Sequence, residues 1–230
     1  MPQPEIMPVR SIPEAGAQLF ERAAHDSVAA RGRFAVVLSG GNTPTPMFEQ
    51  LRDKKGIPWE HILFFWGDER FVPYDDPRSN FGTAKRVLLD NVPVLQSHIF
   101  PWPHVDGYPD RCAAVYAELI EEQLAPDPTF DLTFLGLGAD GHTASLFPGT
   151  GAALETGLTA VVHPDDPEIP RLTLTPTALS NSRTVAFLLA GEEKRDIARA
   201  TLAATGDEDR YPARAISARE RLIWLTDFEL

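Results

Sequence analysis

An acid and an imidazole lie two residues apart in the glycine-rich stretch GLGADGH, at Asp140 and His142. A histidine side chain exchanges protons near neutral pH, and a carboxylate beside it can fix its tautomer and raise its basicity. The stretch follows the apolar run of residues 130–137, so it lies where a buried strand is expected to end. A purely structural histidine is the alternative, but the acid, the glycines and the strand end coincide here. Asp140 and His142 are therefore candidates for general acid–base chemistry.

A second candidate segment, SGGNTPTP, follows the apolar run of residues 34–38. Gly40 and Gly41 allow the backbone to approach a ligand closely, and Thr43 or Thr45 can cap a helix that has proline in its first turn. The N-terminus of such a helix attracts anions, typically phosphate. The spacing matches neither GxxxxGK[ST] nor GxGxxG, so a nucleotide is not favoured, and a plain tight turn is the alternative. The candidate phosphate-binding residues of this loop are Ser39, Gly40, Gly41, Asn42 and Thr43.

Charged residues also follow the apolar run of residues 62–66, in the segment WGDER. Asp68 is closest to the strand end, and we expect it to point into a cleft. We expect Glu69 to be a solvated loop residue. Arg70 and Arg78 could bind an anionic or hydroxylated ligand, or they could pair with the aspartates of the same loop.

Two further cations could reach the same region. Arg171 opens the strand-like segment RLTL, and Lys194 lies in GEEK, where a strand pattern ends and a helix pattern begins. As phosphate ligands, each would contribute charge-assisted hydrogen bonds of typically about 1.5–3 kcal/mol. As surface salt bridges they would contribute about 0–1 kcal/mol. Their spacing leaves both interpretations open.

Strand and helix patterns alternate along the chain. Strands are predicted at residues 34–38, 62–66, 130–137, 158–163, 171–175, 184–189 and 222–225, and helices at 11–32, 47–51, 80–90, 109–124 and 192–204. This order predicts an α/β fold with an open, mainly parallel, Rossmann-like sheet and helices on both faces. The polar segment 165–170 is the best loop candidate in the second half. Without a linker or repeat, residues 1–230 are predicted to form one domain. Ligands bind beyond the carboxyl ends of parallel strands, so the three motifs should meet at one edge.

The composition excludes several classes of partner. The 230 residues carry a net charge of −12, which disfavours binding to nucleic acid or anionic membranes. Cys112 is the single cysteine, so no internal disulfide can form and no cysteine cluster exists for a metal. No apolar run approaches the roughly 18 residues of a membrane span, and the N-terminal segment lacks the features of a secretory signal. We therefore expect a cytoplasmic protein that needs no metal or other cofactor. No apolar helix stripe is obvious, which favours a monomer.

With these motifs in place, the sequence resembles the 6-phosphogluconolactonase family, which shares a superfamily with glucosamine-6-phosphate isomerase/deaminase. The matching segments are LSGGNTP, WGDERFVP, RSNF and GLGADGHTASLFP, and Arg171 and Lys194 match in context. The resemblance spans nearly the whole chain, and the GLGxDGHTASLFP signature is highly specific. It implies a metal-independent, largely cytosolic enzyme that hydrolyses 6-phospho-D-glucono-1,5-lactone to 6-phosphogluconate in the oxidative pentose phosphate pathway.

On this basis we hypothesise a role for each candidate residue. His142 would be the general base that activates water, and Asp68 or Asp140 would orient the imidazole or the substrate hydroxyls. The oxyanion would be met by backbone N–H groups or by a cation such as Arg70, which could instead only brace its loop. The phosphate would be bound by Ser39, Gly40, Gly41, Arg171 and Lys194.

Two other functions compete with lactone hydrolysis. Deaminases carry a catalytic glutamate five residues past the histidine, and this chain has Phe147 there, which disfavours the isomerase/deaminase. A non-catalytic sugar-phosphate sensor would be expected to have a damaged Asp/His centre and an additional DNA-binding or partner segment. The centre is intact, and no such segment is evident.

Overall fold

The structure, a computed structural model, describes residues 2–105, 107–164, 169–203 and 206–230. The strands are β1 (Pro4–Pro8), β2 (Phe34–Leu38), β3 (Ile62–Trp66), β4 (Asp68–Arg70), β5 (Phe130–Leu135), β6 (Thr159–Val162), β7 (Arg171–Leu174), β8 (Ser182–Leu189) and β9 (Arg221–Thr226). The α-helices are α1 (Ile12–Arg31), α2 (Pro44–Asp53), α3 (Asn80–Val87), α4 (Pro109–Leu124), α5 (Pro176–Ser180) and α6 (Arg195–Ala203).

The central sheet has six parallel strands in the order β1-β9-β8-β5-β2-β3. Strands β2, β3 and β5 are buried along their whole length, as expected for apolar strands that are covered on both faces. Phe20 of α1 stacks on Phe64 with ring centroids 6.3 Å apart. The next residue of β3, Phe65, points to the opposite face and contacts Phe100 at 4.9 Å. The predicted open parallel α/β sheet is confirmed.

A second, three-stranded antiparallel sheet lies beyond the carboxyl end of β3, in the order β4-β7-β6. The strands predicted at residues 158–163 and 171–175 belong to this sheet. Gly67 joins the two sheets, because its N–H donates to Leu38 of β2 and its carbonyl accepts the N–H of Leu174 of β7. The small sheet therefore carries Asp68 and Arg171 to the carboxyl edge of the large sheet.

The helix boundaries follow local capping chemistry. Ser11 caps α1 by accepting the N–H of Glu14, as the capping pattern predicts. The helix predicted at residues 80–90 ends at Val87, and a 3₁₀ turn, Leu89–Asn91, follows it. The helix predicted at 192–204 begins as the 3₁₀ turn Glu192–Lys194 and continues as α6. Residue 204, and residues 165–168 of the predicted loop, lie outside the described residues.

The sequence patterns did not predict β1 or α5. β1 pairs with β9 at the edge of the large sheet, and all five of its residues are exposed. Its two prolines are tolerated because an edge strand needs hydrogen bonds on one side only. Cys112 is buried in α4, where its Sγ accepts the N–H of Val105 at 3.3 Å. Among the helices of the described residues, none has the length and apolar character needed to span a membrane.

Candidate active site

The three strand-end motifs meet around one pocket of about 330 Å³ at the carboxyl edge of the large sheet. The predicted site residues that line it are Ser39, Gly40, Gly41, Asp68, Arg70, His142 and Lys194. The pocket is also lined by Asn80, which the sequence interpretation did not single out. The predicted site residues outside its lining are Asn42, Thr43, Arg78, Asp140 and Arg171.

His142 is held by the carboxylate of Asp140. Oδ1 of Asp140 lies 2.6 Å from Nδ1 of His142 and accepts the backbone N–H of His142 at 3.1 Å. Partial burial raises the pKa of Asp140, but the backbone N–H, the charge and the ring nitrogen of His142 outweigh burial, so the pKa is lowered overall. A carboxylate that stays ionised can only accept hydrogen bonds, so Nδ1 is the donor. Nε2 then carries the lone pair that can accept a proton.

The turn around this pair depends on close packing at Gly138. The N–H of Gly138 donates to the carbonyl of His142 at 2.8 Å, which closes the turn. A Cβ atom at Gly138 would lie 2.1 Å from Nδ1 of His142 and 2.6 Å from Oδ1 of Asp140. Gly141 adopts φ +91°, a conformation that favours glycine. The glycines of this motif thus place the acid and the base at a fixed separation.

Phe147 packs against the imidazole, with the two ring centroids 4.8 Å apart. This is the position at which deaminases carry their catalytic glutamate, as described above. The residue beside the candidate base is therefore an apolar ring that supplies no acid. It restricts the imidazole on the side that it covers.

Asp68 is almost fully buried, as expected for a residue that points inward, with 8% of its surface exposed. Its Oδ2 accepts a hydrogen bond from the hydroxyl of Ser145 at 2.6 Å, and its Oδ1 accepts one from the amide of Asn80 at 3.2 Å. The carboxyl group that contacts the imidazole ring is that of Asp140. Asp68 is therefore a second acidic group of the pocket with its own set of partners.

The prediction that Glu69 is solvated is wrong, because only 3% of its surface is exposed. Its carboxylate accepts the backbone N–H groups of Arg70, Asn80 and Phe81 at 2.7–2.8 Å and the hydroxyl of Ser79 at 3.0 Å. Burial raises the pKa of Glu69, although these backbone N–H groups oppose the shift. The N-terminal N–H groups of α3 need acceptors, and Glu69 supplies them from inside the protein. Sequence spacing gave no sign of this packing.

Arg70 and Arg171 are direct partners across the β4–β7 pair. In the part of the chain that the structure describes, the Nε atom of each is buried without a hydrogen-bond partner. Burial, followed by the nearby charge of Arg70, lowers the pKa of Arg171. Two adjacent guanidinium groups with unsatisfied donors are well suited to an anion.

Arg78 and Lys194 differ in their surroundings. Arg78 is paired with Asp76 at 2.6 Å and is more than half exposed, while its carbonyl accepts a hydrogen bond from Nη1 of Arg70 at 2.7 Å. Of the two predicted alternatives for this side chain, ligand binding or pairing with an aspartate of its loop, the structure shows the pairing. The backbone of Arg78 holds Arg70 in place. Lys194 lines the pocket from the turn before α6.

The loop before α2 uses the conformational freedom that glycine provides. Gly41 adopts φ +93°, and Thr43 occupies the cap position of α2 without a side-chain capping bond. The hydroxyl of Thr45 donates to the carbonyl of Gly41 at 3.0 Å instead. The loop leads into the N-terminus of α2 and borders the pocket at Ser39 and Gly40.

The fold and the pocket define a class: an α/β protein with an Asp–His pair and cationic side chains at the carboxyl edge of its sheet. Residues 10–224 match the family model described as "Glucosamine-6-phosphate isomerases/6-phosphogluconolactonase". The chain belongs to this family.

Several relatives resemble the chain over most of its length. A protein of Synechocystis named 6-phosphogluconolactonase is 41% identical over 205 residues, covering 87% of this chain and 85% of the relative. A protein of Mycobacterium tuberculosis with the same name is 37% identical over 213 residues, covering 87% of this chain and 85% of the relative. The crystal structure of 6-phosphogluconolactonase from Thermotoga maritima has a TM-score of 0.86 at 29% identity, covering 97% of this chain and 98% of that one. The Trypanosoma brucei 6-phosphogluconolactonase structure has a TM-score of 0.84 at 27% identity, covering 98% and 96%.

Proposed function

We propose that the protein hydrolyses 6-phospho-D-glucono-1,5-lactone to 6-phospho-D-gluconate, in the oxidative pentose phosphate pathway, without a metal ion. The observation that carries the proposal is the contact of 2.6 Å between Asp140 and Nδ1 of His142 at a pocket that Arg70 and Lys194 also line. A general base beside cationic groups suits the attack of water on the carbonyl of a phosphorylated lactone. The name shared by the Synechocystis and M. tuberculosis relatives supports this substrate.

In the proposed mechanism, Nε2 of His142 takes a proton from water as the water oxygen forms a bond to lactone C1. The carbonyl electrons move onto oxygen, and the cation of Arg70 or a backbone N–H stabilises that oxyanion. When the oxyanion collapses, the bond between C1 and the ring oxygen breaks, and the imidazolium returns its proton to the ring oxygen. Asp140 stabilises the imidazolium between these steps. The product is an open-chain acid that ionises at neutral pH.

The remaining site residues bind the substrate. The phosphate is assigned to the Ser39–Gly41 loop and the cations of Arg171 and Lys194, since anions favour a helix N-terminus and charge-assisted donors. Asn42, Thr43 and Arg78 lie outside the pocket lining and stay predicted substrate contacts. Asp68 accepts hydrogen bonds from substrate hydroxyls.

The test is a coupled assay in which the lactone is generated in solution and 6-phosphogluconate is followed with its dehydrogenase. Because the lactone also hydrolyses unaided, the rate is read against a control without protein. We expect the wild type to accelerate the reaction. In His142→Ala the acceleration should fall by a factor of about 10²–10⁴, as is typical when a general base is removed. An absence of acceleration by the wild type would refute the proposal, and release of ammonia from glucosamine 6-phosphate would then be measured.

The proposal extends to a monomeric, cytoplasmic enzyme that needs no nucleic-acid or membrane partner. The net charge of −12 supports the lack of nucleic-acid and anionic-membrane partners. Size-exclusion chromatography with light scattering tests the monomer, because a mass of 25.3 kDa is expected for one chain.

A further inference from the structure

We infer that Ser145 and Asn80 are positioning residues that fix the carboxylate of Asp68, and that Ser145 thereby ties the loop of His142 to the strand end that carries Asp68. The inference rests on the proposed function and deepens it, since it assigns how the second acid of the pocket is held.

Ser145 connects the two sides of the pocket. It lies three residues after His142 in the signature motif, and only 1% of its surface is exposed. Its hydroxyl donates to Oδ2 of Asp68 at 2.6 Å. Its backbone N–H donates to the hydroxyl of Thr173 in β7 at 3.3 Å. The loop with the base is therefore attached at Ser145 to both β4 and β7.

Asn80 holds the same carboxylate from the other side. Its side-chain amide donates to the carbonyl of Asp68 at 2.9 Å and to Oδ1 of Asp68 at 3.2 Å. Its own backbone N–H donates to the buried carboxylate of Glu69 at 2.7 Å, which fixes the start of α3. A Cβ atom at Gly40 would lie 1.8 Å from Oδ1 of Asn80, so the amide is packed against the glycine loop. The Asn80 amide is therefore restricted on the side that faces Gly40.

These contacts leave Asp68 with one preferred orientation. Each carboxylate oxygen accepts one side-chain hydrogen bond from a residue that is itself more than nine-tenths buried. A carboxylate has about four acceptor sites, so capacity is left for the hydroxyl groups of a sugar in the pocket that Asp68 lines. An acceptor that is already oriented does not have to be ordered when the substrate binds. Ser145 lies outside the pocket lining, so it acts on the reaction through Asp68, whereas Asn80 orients Asp68 from within the lining.

The first experiment compares Ser145→Ala with Ser182→Ala in the lactone assay. Ser182 is a matched control: it is a fully buried serine whose hydroxyl donates to the carbonyl of Leu179, at the start of β8 and away from the carboxyl edge. We expect Ser145→Ala to lower kcat/KM by about 10- to 100-fold, the range for a hydrogen bond to a charged group. Ser182→Ala should keep kcat/KM within about threefold of the wild type, even if its melting temperature falls as much as that of Ser145→Ala. Equal losses in the two variants would overturn the inference.

A double-mutant cycle separates positioning from a general loss of structure. Asp68→Asn is combined with Ser145→Ala, and the four kcat/KM values are compared. If Ser145 acts through Asp68, the second substitution costs less than about threefold once Asp68 is changed. Additive losses would refute the inference. Asn80→Ala is run through the same cycle, and it decides the question if Ser145→Ala does not fold. An inactive wild type would instead contradict the proposed function, so the two failures are distinct.

Discussion

Oδ1 of Asp140 accepts the backbone N–H of His142 and lies 2.6 Å from Nδ1 of the same residue. One oxygen therefore fixes both the turn and the ring that the turn presents. Because the pKa of Asp140 is lowered, this oxygen is an acceptor throughout the neutral range, and the proton of the imidazole stays on Nδ1. In the neutral imidazole, Nε2 is then the nitrogen with the free lone pair, as the proposed base requires.

Asp140→Asn should therefore lower kcat by about 10²-fold, because an amide can present its NH₂ group to Nδ1 and select the wrong tautomer. The side chain of Asp140 is about half exposed, so the melting temperature should change little. Steady-state kinetics and thermal unfolding of the same preparation check both statements. A kcat equal to that of the wild type would show that Asp140 does not set the tautomer.

Gly138→Ala tests whether the geometry of this pair matters. The added methyl group would overlap the side chains of His142 and Asp140, so both side chains would have to move away from residue 138. A displacement of about 1 Å in a catalytic group can reduce the rate by about 10²-fold, and we expect a loss of kcat of that order. Gly157→Ala is the control, because the nearest atom to its new Cβ lies 3.8 Å away. If both variants retain wild-type kcat, the close packing at Gly138 is not needed for the reaction.

The sequence predicted the parts of the site that lie at the ends of buried strands. Continuous apolar runs identify such strands, and parallel connection forces their carboxyl ends to one edge. Asp68 and His142 consequently line one pocket although they are far apart along the chain. The same rule could not separate β6 and β7 from the central sheet, since an isolated strand pattern does not reveal its pairing partner.

The supporting contacts were beyond sequence reasoning. A charged residue next to other charged residues, as Glu69 is, is usually solvated. Glu69 is buried instead because the first N–H groups of α3 donate to its carboxylate. Asn80 and Ser145 were present in the quoted motifs RSNF and GHTASLFP, but nothing in their spacing shows that they meet Asp68. These are long-range side-chain contacts, and local patterns do not encode them.

Arg171→Ala tests the assignment of the phosphate. We expect KM for the phosphorylated lactone to rise by about 10- to 100-fold, which corresponds to the loss of charge-assisted hydrogen bonds. The KM for unphosphorylated 1,5-gluconolactone should be unchanged, since that substrate has no phosphate to bind. Arg199→Ala, at an exposed arginine of α6, controls for the change in net charge. Equal changes in KM for the two substrates would show that Arg171 does not bind the phosphate.

Glu69→Gln should destabilise the protein although it keeps the size of the side chain. Both oxygens of Glu69 accept hydrogen bonds. Oε1 accepts the backbone N–H groups of Asn80 and Arg70. Oε2 accepts the backbone N–H of Phe81 and the hydroxyl of Ser79. Glutamine would put an NH₂ group where one of these oxygens accepts, and buried donors would be left unpaired. We expect a loss of about 1–3 kcal/mol in the free energy of unfolding, measured with urea. Glu121→Gln, at an exposed position of α4, should stay within about 0.5 kcal/mol of the wild type.

The effect of Glu69→Gln should also depend on pH. Burial raises the pKa of Glu69 above its ordinary value of 4.5, so between that value and the raised pKa the folded protein binds more protons than the unfolded chain. The contribution of this group to stability is therefore fully present below its unfolded pKa and decreases as the pH rises through its folded pKa. Glutamine does not titrate, so the difference in unfolding free energy between wild type and variant should narrow over that range. Urea titrations at a series of pH values measure it, and a gap that widens as the pH rises would contradict the raised pKa.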